Sequence, residues 1–539
     1  MAFLLRKAKA KPKLKKKLTP AQKKALAKKK AAAAAAKRKA AAKKAAAKKA
    51  AAKKKAAAAA AAKKKAAGGA APIAVTDTLP APPPATIPAP VPAAPAPQRT
   101  VDFGRPQAER LLWRAGFGPR PGDVDRLVAM GLDAAVRSLV YPQGGASLVG
   151  PAPRDEQGQP LAPNDVWGHD GVWWLDRMVR SDQPLVERMT LLWHDWFATS
   201  RDKVGSAQLM LDQNALLRRH ALGSFADLLR DVTRDPAMLS FLDGIDNRVG
   251  SPNENYAREV MELFTLGAGR GAYSEDDVRE LARAFTGFRA DWRDGVGLTN
   301  FRFDAARHDN GNKTVFGRTG NWGVDDGWRL CLEHPLHASF VVQKLWSAFI
   351  PQAPDAGTVA ALAQAYVGSG HQIAPVVEAI LKHPDLYYGE RMVKAPVVFI
   401  AGLLRETGRS VDTDAWAWLM RLAGQQLFFP PSVAGWDESR WLDTSSWRGR
   451  WYAAAFVLRT TVADGKTYSA TETPEEAVDA ALAFLGSPTL TPEMRAAVVD
   501  SARSMLAGGV PNWGQASYRA VRQNGLRMLI ATCSDHQTC

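Results

Sequence analysis

From Arg105 onward, hydrophobic positions recur at three- and four-residue spacing and are broken at short intervals by glycine, proline or a capping residue, a pattern that predicts short helices. Gln107 to Ala115 ends at Gly116-Phe117-Gly118-Pro119. Val124, Leu127 and Val128 share one face of a helix from Asp123 to Met130 that Gly131 ends, and Asp182 to Ser200 and Ser206 to Ala221 continue the period. Ser224 with Asp227 caps a helix from Phe225 to Thr233, and Asp235-Pro236 closes it and opens the next. Ser274 with Asp277 caps another, with Val278, Leu281, Ala282 and Phe285 on one face. Strand patterning is confined to Phe301-Arg302-Phe303 and Thr314-Val315-Phe316, which read as a hairpin with Arg307 to Lys313 as its loop. The expected fold is mostly α, a multi-helix body with a small β-hairpin insertion.

The most completely signposted element runs from Ser251 to Gly267. Ser251 stands where it can cap, Pro252 where its missing N–H costs nothing, Glu254 where it closes a capping box, and Gly267 where a left-handed residue stops the helix. Tyr256, Val260, Met261, Leu263 and Phe264 fall on one side, with Glu254, Asn255, Arg258, Glu259 and Glu262 on the other. Glu254, Arg258 and Glu262 at i, i+4 and i+8 put a guanidinium between two carboxylates. Two readings are open: a solvated ion-pair ladder, or an acidic site held by an arginine and able to bind a cation or move a proton.

Charge changes the picture at the N-terminus. Residues 1–70 are Lys and Ala blocks with 26 basic and no acidic residues, leaving 46 of the 72 Lys and Arg against all 53 Asp and Glu elsewhere, a net of −7. The excess positive charge therefore lies in the tail, and charge gives the remainder no support as a nucleic-acid binder. With no apolar stripe to bury and no acid to pair, the tail is expected to fluctuate between helix and coil and to bind a polyanion, nucleic acid or cell-envelope polymer, by counterion release. Residues 71–104 read as a Pro/Ala-rich linker, stiffened by ten prolines between 71 and 98. Residues 105–535 read as one helical domain.

Three cysteines are too few for a disulfide framework, although Cys533 and Cys539 could close a loop around His536 in an oxidising compartment. No secretory signal is visible, which points to the cytoplasm. The longest apolar run, Ala395 to Leu404, is about half a membrane span and contains Pro396 and Gly402, so it reads as a buried helix and no transmembrane segment is expected.

Several segments form a recognisable series: Leu111-Leu112-Trp113-Arg114-Ala115-Gly116-Phe117-Gly118-Pro119, Leu192-Trp193-His194 with Phe197, Leu217 to Gly223, Thr233 to Met238, and Pro252 to Gly267. Ala284-Phe285-Thr286-Gly287, His308-Asp309, Lys313-Thr314 with Gly317, Lys344-Leu345-Trp346, Gln426-Leu427-Phe428, Pro430-Pro431 and Gly435-Trp436 follow in order. Together, over roughly residues 105 to 460, they resemble the bacterial family named domain of unknown function 1800. The resemblance implies an identity without a settled activity. It also implies export to the cell envelope or beyond, and a sulfatase-like partner protein. Two features depart from the family: its pattern continues after His194 with Asn and a second His, where this chain has Asp195 and Trp196, and this chain opens on a basic tail.

Candidate chemistry is sparse. No nucleophile elbow, P-loop, dinucleotide fingerprint or HExxH signature occurs. Three His-Asp doublets, His169-Asp170, His194-Asp195 and His308-Asp309, are of the kind that metal-dependent HD phosphohydrolases use, and Asp309 also suits a turn. One divalent metal ion could sit on Glu259 and Glu262 with His194 or His308. The catalytic candidates are thus Glu254, Arg258, Glu259, Glu262, His194, His308 and Asp309. Among 17 tryptophans most are expected in the core, but Trp436, Trp441, Trp447 and Trp451 crowd a loop-rich stretch beside polar residues, and Trp436, Trp441 and Trp447 are candidates for stacking on sugar rings. The leading expectation is a binding or scaffolding protein tethered to a polyanionic surface by residues 1–70. The alternatives are a metal-dependent hydrolase using the acidic helix, or a glycan-binding protein.

Overall fold

Caps written in the sequence set many of the helix starts. The Ser224 hydroxyl accepts from the Asp227 amide at 3.3 Å and begins Phe225–Arg234, and the Asp235 carboxylate accepts from the Met238 amide at 2.8 Å and begins Pro236–Phe241. Ser274 and Asp277 form a complete capping box ahead of Glu275–Ala284. The computed structural model describes residues 100–294, 296–459, 461–509 and 514–539. Over these the fold is mostly α, with two small antiparallel two-stranded sheets. The Lys/Ala tail and all but the last residues of the expected linker lie outside the described residues. Val101 and Phe103 already pack on the core, and the Asp102 amide donates to the Tyr388 hydroxyl at 2.8 Å. Among the described residues no helix is long and apolar enough to cross a membrane.

The two strand-like runs pair, but not with each other. Phe301-Arg302-Phe303 belongs to Gly297–Phe303, whose partner is Phe288–Arg293, with Phe288 opposite Phe303. Lys313–Val315 instead folds back on Arg318–Gly320. The two-residue turn between them has positive φ at both Phe316 (51°) and Gly317 (72°), the twist that closes a tight hairpin. Immediate reversal at Gly317 outcompetes a longer loop, so one expected hairpin becomes two.

The run from Ala395 is the helix Pro396–Glu406, every residue of which is buried. It packs around Trp113, whose indole carries the Lys394 ammonium 3.4 Å from the centroid of one face. A β-carbon built on Gly402 would come within 2.1 Å of the Trp113 ring and 3.1 Å of the Phe117 carbonyl. The segment Cys533 to Cys539 joins this core: Met392 and Cys539 exchange backbone hydrogen bonds at 2.8 and 2.9 Å, and buried His536 lies 3.0 Å from the Glu406 carboxylate. Cys533 and Cys539 are both free thiols. Buried arginines serve backbone carbonyls here, Arg114 those of Glu390 and Cys539, Arg405 those of Gly118 and Val179, and Arg450 those of Lys394 and Trp441.

Gly402→Ala should overpack this contact and destabilise the protein by about 1–3 kcal/mol in chemical denaturation. A change within about 0.5 kcal/mol would mean that Trp113 can yield.

Candidate functional site

The Ser251 to Gly267 stretch is not one regular helix. Ser251 is held in a bridge with Arg248, the α-helix starts at Asn255 and ends at Glu259, and Val260–Thr265 continues as a π-helix. The Leu266 and Gly267 amides both donate to the Met261 carbonyl, at 3.0 and 3.1 Å, and Gly267 provides the expected left-handed stop with φ 89°. Widening the turn leaves successive carbonyls without helical partners. The carbonyl of Leu263 accepts from Lys344 Nζ at 3.2 Å and that of Phe264 from Trp196 Nε1 at 3.2 Å, while that of Thr265 lies 3.0 Å from His337 Nδ1. A cation at a helix C-terminus suits the dipole as well as the hydrogen bond. Lys344 also lies 4.3 Å from the Trp196 ring centroid, and burial lowers its pKa to about 8 against the pull of Asp195.

The extra residue in the wide turn changes the phase of the polar face. Arg258 pairs with Glu254 at 3.0 Å and with Glu275 of the next helix at 2.8 Å, so Glu275 takes the place that i, i+8 spacing assigns to Glu262. The guanidinium is raised by the Glu275 hydrogen bond first. Glu259 and Glu262 are left half-buried, and Glu259 is pushed up by burial and then by Glu262. The arrangement is a partly solvated ladder joining two helices, with the Tyr273 hydroxyl, raised by burial, beside it.

The histidines lie in other settings. His194 is buried within an aromatic nest, its ring centroid 5.4 Å from Trp174 and 5.6 Å from both Phe428 and Trp436; its Nε2 has no hydrogen-bond partner among the described residues. Burial lowers its pKa to about 3. His308 Nδ1 lies 2.8 Å from the Thr286 carbonyl, and Asp309 holds Arg283 at 2.8 Å and the Gly311 amide at 2.9 Å, as a turn-forming aspartate does. Among the described residues no three His, Cys, Asp or Glu side chains gather so that they could hold a metal, so Glu259, Glu262, His194 and His308 do not form the set that the sequence suggests. The cause is that the nest and the turn hold each imidazole in place.

The tryptophan cluster divides. Trp436 is buried, its amide donating to Asp195 at 2.8 Å, and Trp441 packs partly buried against the core. Helix Thr444–Leu458 turns Trp447 and Trp451 outward, 38% and 46% exposed, one turn apart on one face. With Thr444, Ser445 and Arg448 they line an open depression of about 530 Å³, and Arg448 has no ion-pair partner among the described residues. Trp451 is the member of the cluster that spacing alone did not single out; the i, i+4 relation to Trp447 within a capped helix is the signal that finds it.

Two outcomes follow. Arg258→Ala should cost less than about 1 kcal/mol, and less still at high salt, because the ladder is solvated; a loss of several kcal/mol in urea titration would make it a buried site. For His194 the folded pKa lies below the unfolded one of about 6.5, so the unfolded chain binds the proton and stability drops as pH falls below about 6.5. Relative to His194→Phe, the wild-type chain should lose about 1 kcal/mol per pH unit, or about 2 kcal/mol between pH 6.5 and 5, in paired denaturation curves. The opposing slope of raised aspartates such as Asp235, pushed up to about 7 by burial, is common to both chains.

No curated protein and no solved structure in the comparisons matches this chain. One family model does, over residues 110–522, which takes in the Trp113 core, the π turn with its three capping side chains, and the exposed tryptophan pair. The match covers most of the chain, and the protein belongs to the family described as protein of unknown function (DUF1800).

Proposed function

We propose that the protein binds an acidic polysaccharide, held near it by the basic residues 1–70 and gripped by the face of Thr444–Leu458 that carries Trp447 and Trp451. The single observation behind this reading is the exposure of those two indoles, one turn apart, with hydroxyls and an unpaired guanidinium around them. Exposed aromatic area costs solvation free energy and marks a surface that something covers. The five lining residues include no aliphatic side chain, which argues against a protein partner seeking a dry apolar groove. Sugar rings offer C–H faces to indoles, hydroxyls to Thr444 and Ser445 and, where the sugar is a uronic acid, a carboxylate to Arg448. The tail supplies 26 positive charges without sequence or shape specificity, so the same polymer meets both parts of the chain.

Binding to alginate, dextran and duplex DNA tests the reading. Full-length protein should bind alginate and DNA with affinities that fall steeply with salt, and a chain beginning at Val101 should lose DNA but retain salt-tolerant alginate binding. Trp447→Ala with Trp451→Ala should weaken that residual binding by about tenfold or more while shifting Tm by no more than a few degrees. Unchanged alginate binding by the double variant would refute the reading.

A further inference from the structure

Helix Pro184–Trp196 carries a second polar stripe. Arg188 and Asp195, two turns apart, line a partly enclosed cavity of about 60 Å³ together with Gln425, Glu438 and Trp441. The cavity is rich in unspent donors. Among the described residues nothing accepts a hydrogen bond from the Arg188 guanidinium or from the buried Trp441 indole N–H. Gln425 is 2% exposed and its Oε1 accepts from the Val397 amide at 3.1 Å, which leaves its amide nitrogen for the cavity. Two acceptors stand beside these donors. Asp195 has one oxygen on the Trp436 amide and the other unspent, and Glu438 sits at the rim on the turn Glu438–Arg440.

The charged groups around the cavity are partly withdrawn from water. Arg188 is half-buried and Glu438 is exposed at the rim; the protein packed around them lowers the guanidinium and raises the carboxyl, and Asp195 is likewise pushed up to about 6 by burial. Cys539 and Glu438 pull Arg188 up, and Arg114 opposes them. A guanidinium with apolar Leu191 and Phe349 for walls and no hydrogen-bonded acceptor lacks the close partner that would offset its desolvation. The nearby carboxylates oppose a dianion such as phosphate, and favour a ligand that brings an N–H or O–H of its own. A cavity of about 60 Å³ admits a small acid rather than a sugar ring.

We propose that this cavity binds a small carboxylate with a hydrogen-bond donor on its α-carbon, an α-amino or α-hydroxy acid. The carboxylate lies on Arg188, the Gln425 amide and the Trp441 N–H, and the α-ammonium or hydroxyl donates to Asp195 and Glu438. This site is independent of the tryptophan face, so either reading can fail alone.

Calorimetric titration of the full-length protein with glycine, glycolate and acetate at neutral pH decides it. Glycine or glycolate should bind at least about tenfold more tightly than acetate, which lacks the α donor, and the tighter of the two identifies that donor. Arg188→Met should abolish binding, and Gln425→Glu should do the same by adding a third carboxylate. Trp441→Phe keeps the ring and removes the N–H, so it should weaken binding about tenfold in a protein of near wild-type Tm, and keeps the test decisive if the other variants fold poorly. No binding of either acid at millimolar concentration, equal affinity for acetate, or wild-type affinity in Trp441→Phe would each overturn the proposal.

Discussion

A helix end buried in protein must find donors for its last carbonyls, and in this fold three distant side chains meet that demand at one place. Lys344, Trp196 and His337 serve the carbonyls of Leu263, Phe264 and Thr265. Lys344 and His337 come from His337–Ser347, which packs on this turn, and Trp196 from the end of Pro184–Trp196. His337 in turn lies 3.0 Å from the Tyr366 hydroxyl, and burial lowers its pKa to about 3, which keeps it neutral in the folded protein. The Lys-Leu-Trp and Leu-Trp-His motifs contribute to the same junction: Lys344 begins the first, and Trp196 follows the second by two residues.

The interior handles charge in a consistent way. Arg114, Arg405 and Arg450 are buried against backbone carbonyls, which give each guanidinium its hydrogen bonds, and Arg405 also has Asp123 at 3.5 Å. Buried carboxylates are clasped in turn: Asp170 by Arg201, Asp176 by Arg180, and Glu187 by Arg177 and Arg218. Against this pattern Arg188, one residue later on the same helix, stands out as a guanidinium with a cavity in place of a partner. The acidic helix face that looked most chemical in the sequence turns out to be an interhelical ladder with ordinary solvation.

Much of the helical body is legible in the chain itself, because caps, stops and periodicity act within one turn. Ser224, Asp235 and Ser274 cap where their side chains reach the backbone three residues on, Gly267 stops a helix because glycine adopts positive φ there without strain, and the apolar run from Ala395 is buried because every face of it is apolar. The charge split of the tail is likewise a property of composition. Long-range contacts decided the rest. The π turn exists because Trp196, His337 and Lys344, remote in sequence, accept the cost of a wide turn by serving its carbonyls, and that shift of phase gives Arg258 to Glu275 instead of Glu262. Which tryptophans face water depended on tertiary packing: Trp436 went in beside His194 and Asp195, and Trp451 came out on Thr444–Leu458. Local rules fix where a helix begins and ends; which of its faces meets a partner, a cavity or solvent is set by side chains that sequence distance conceals.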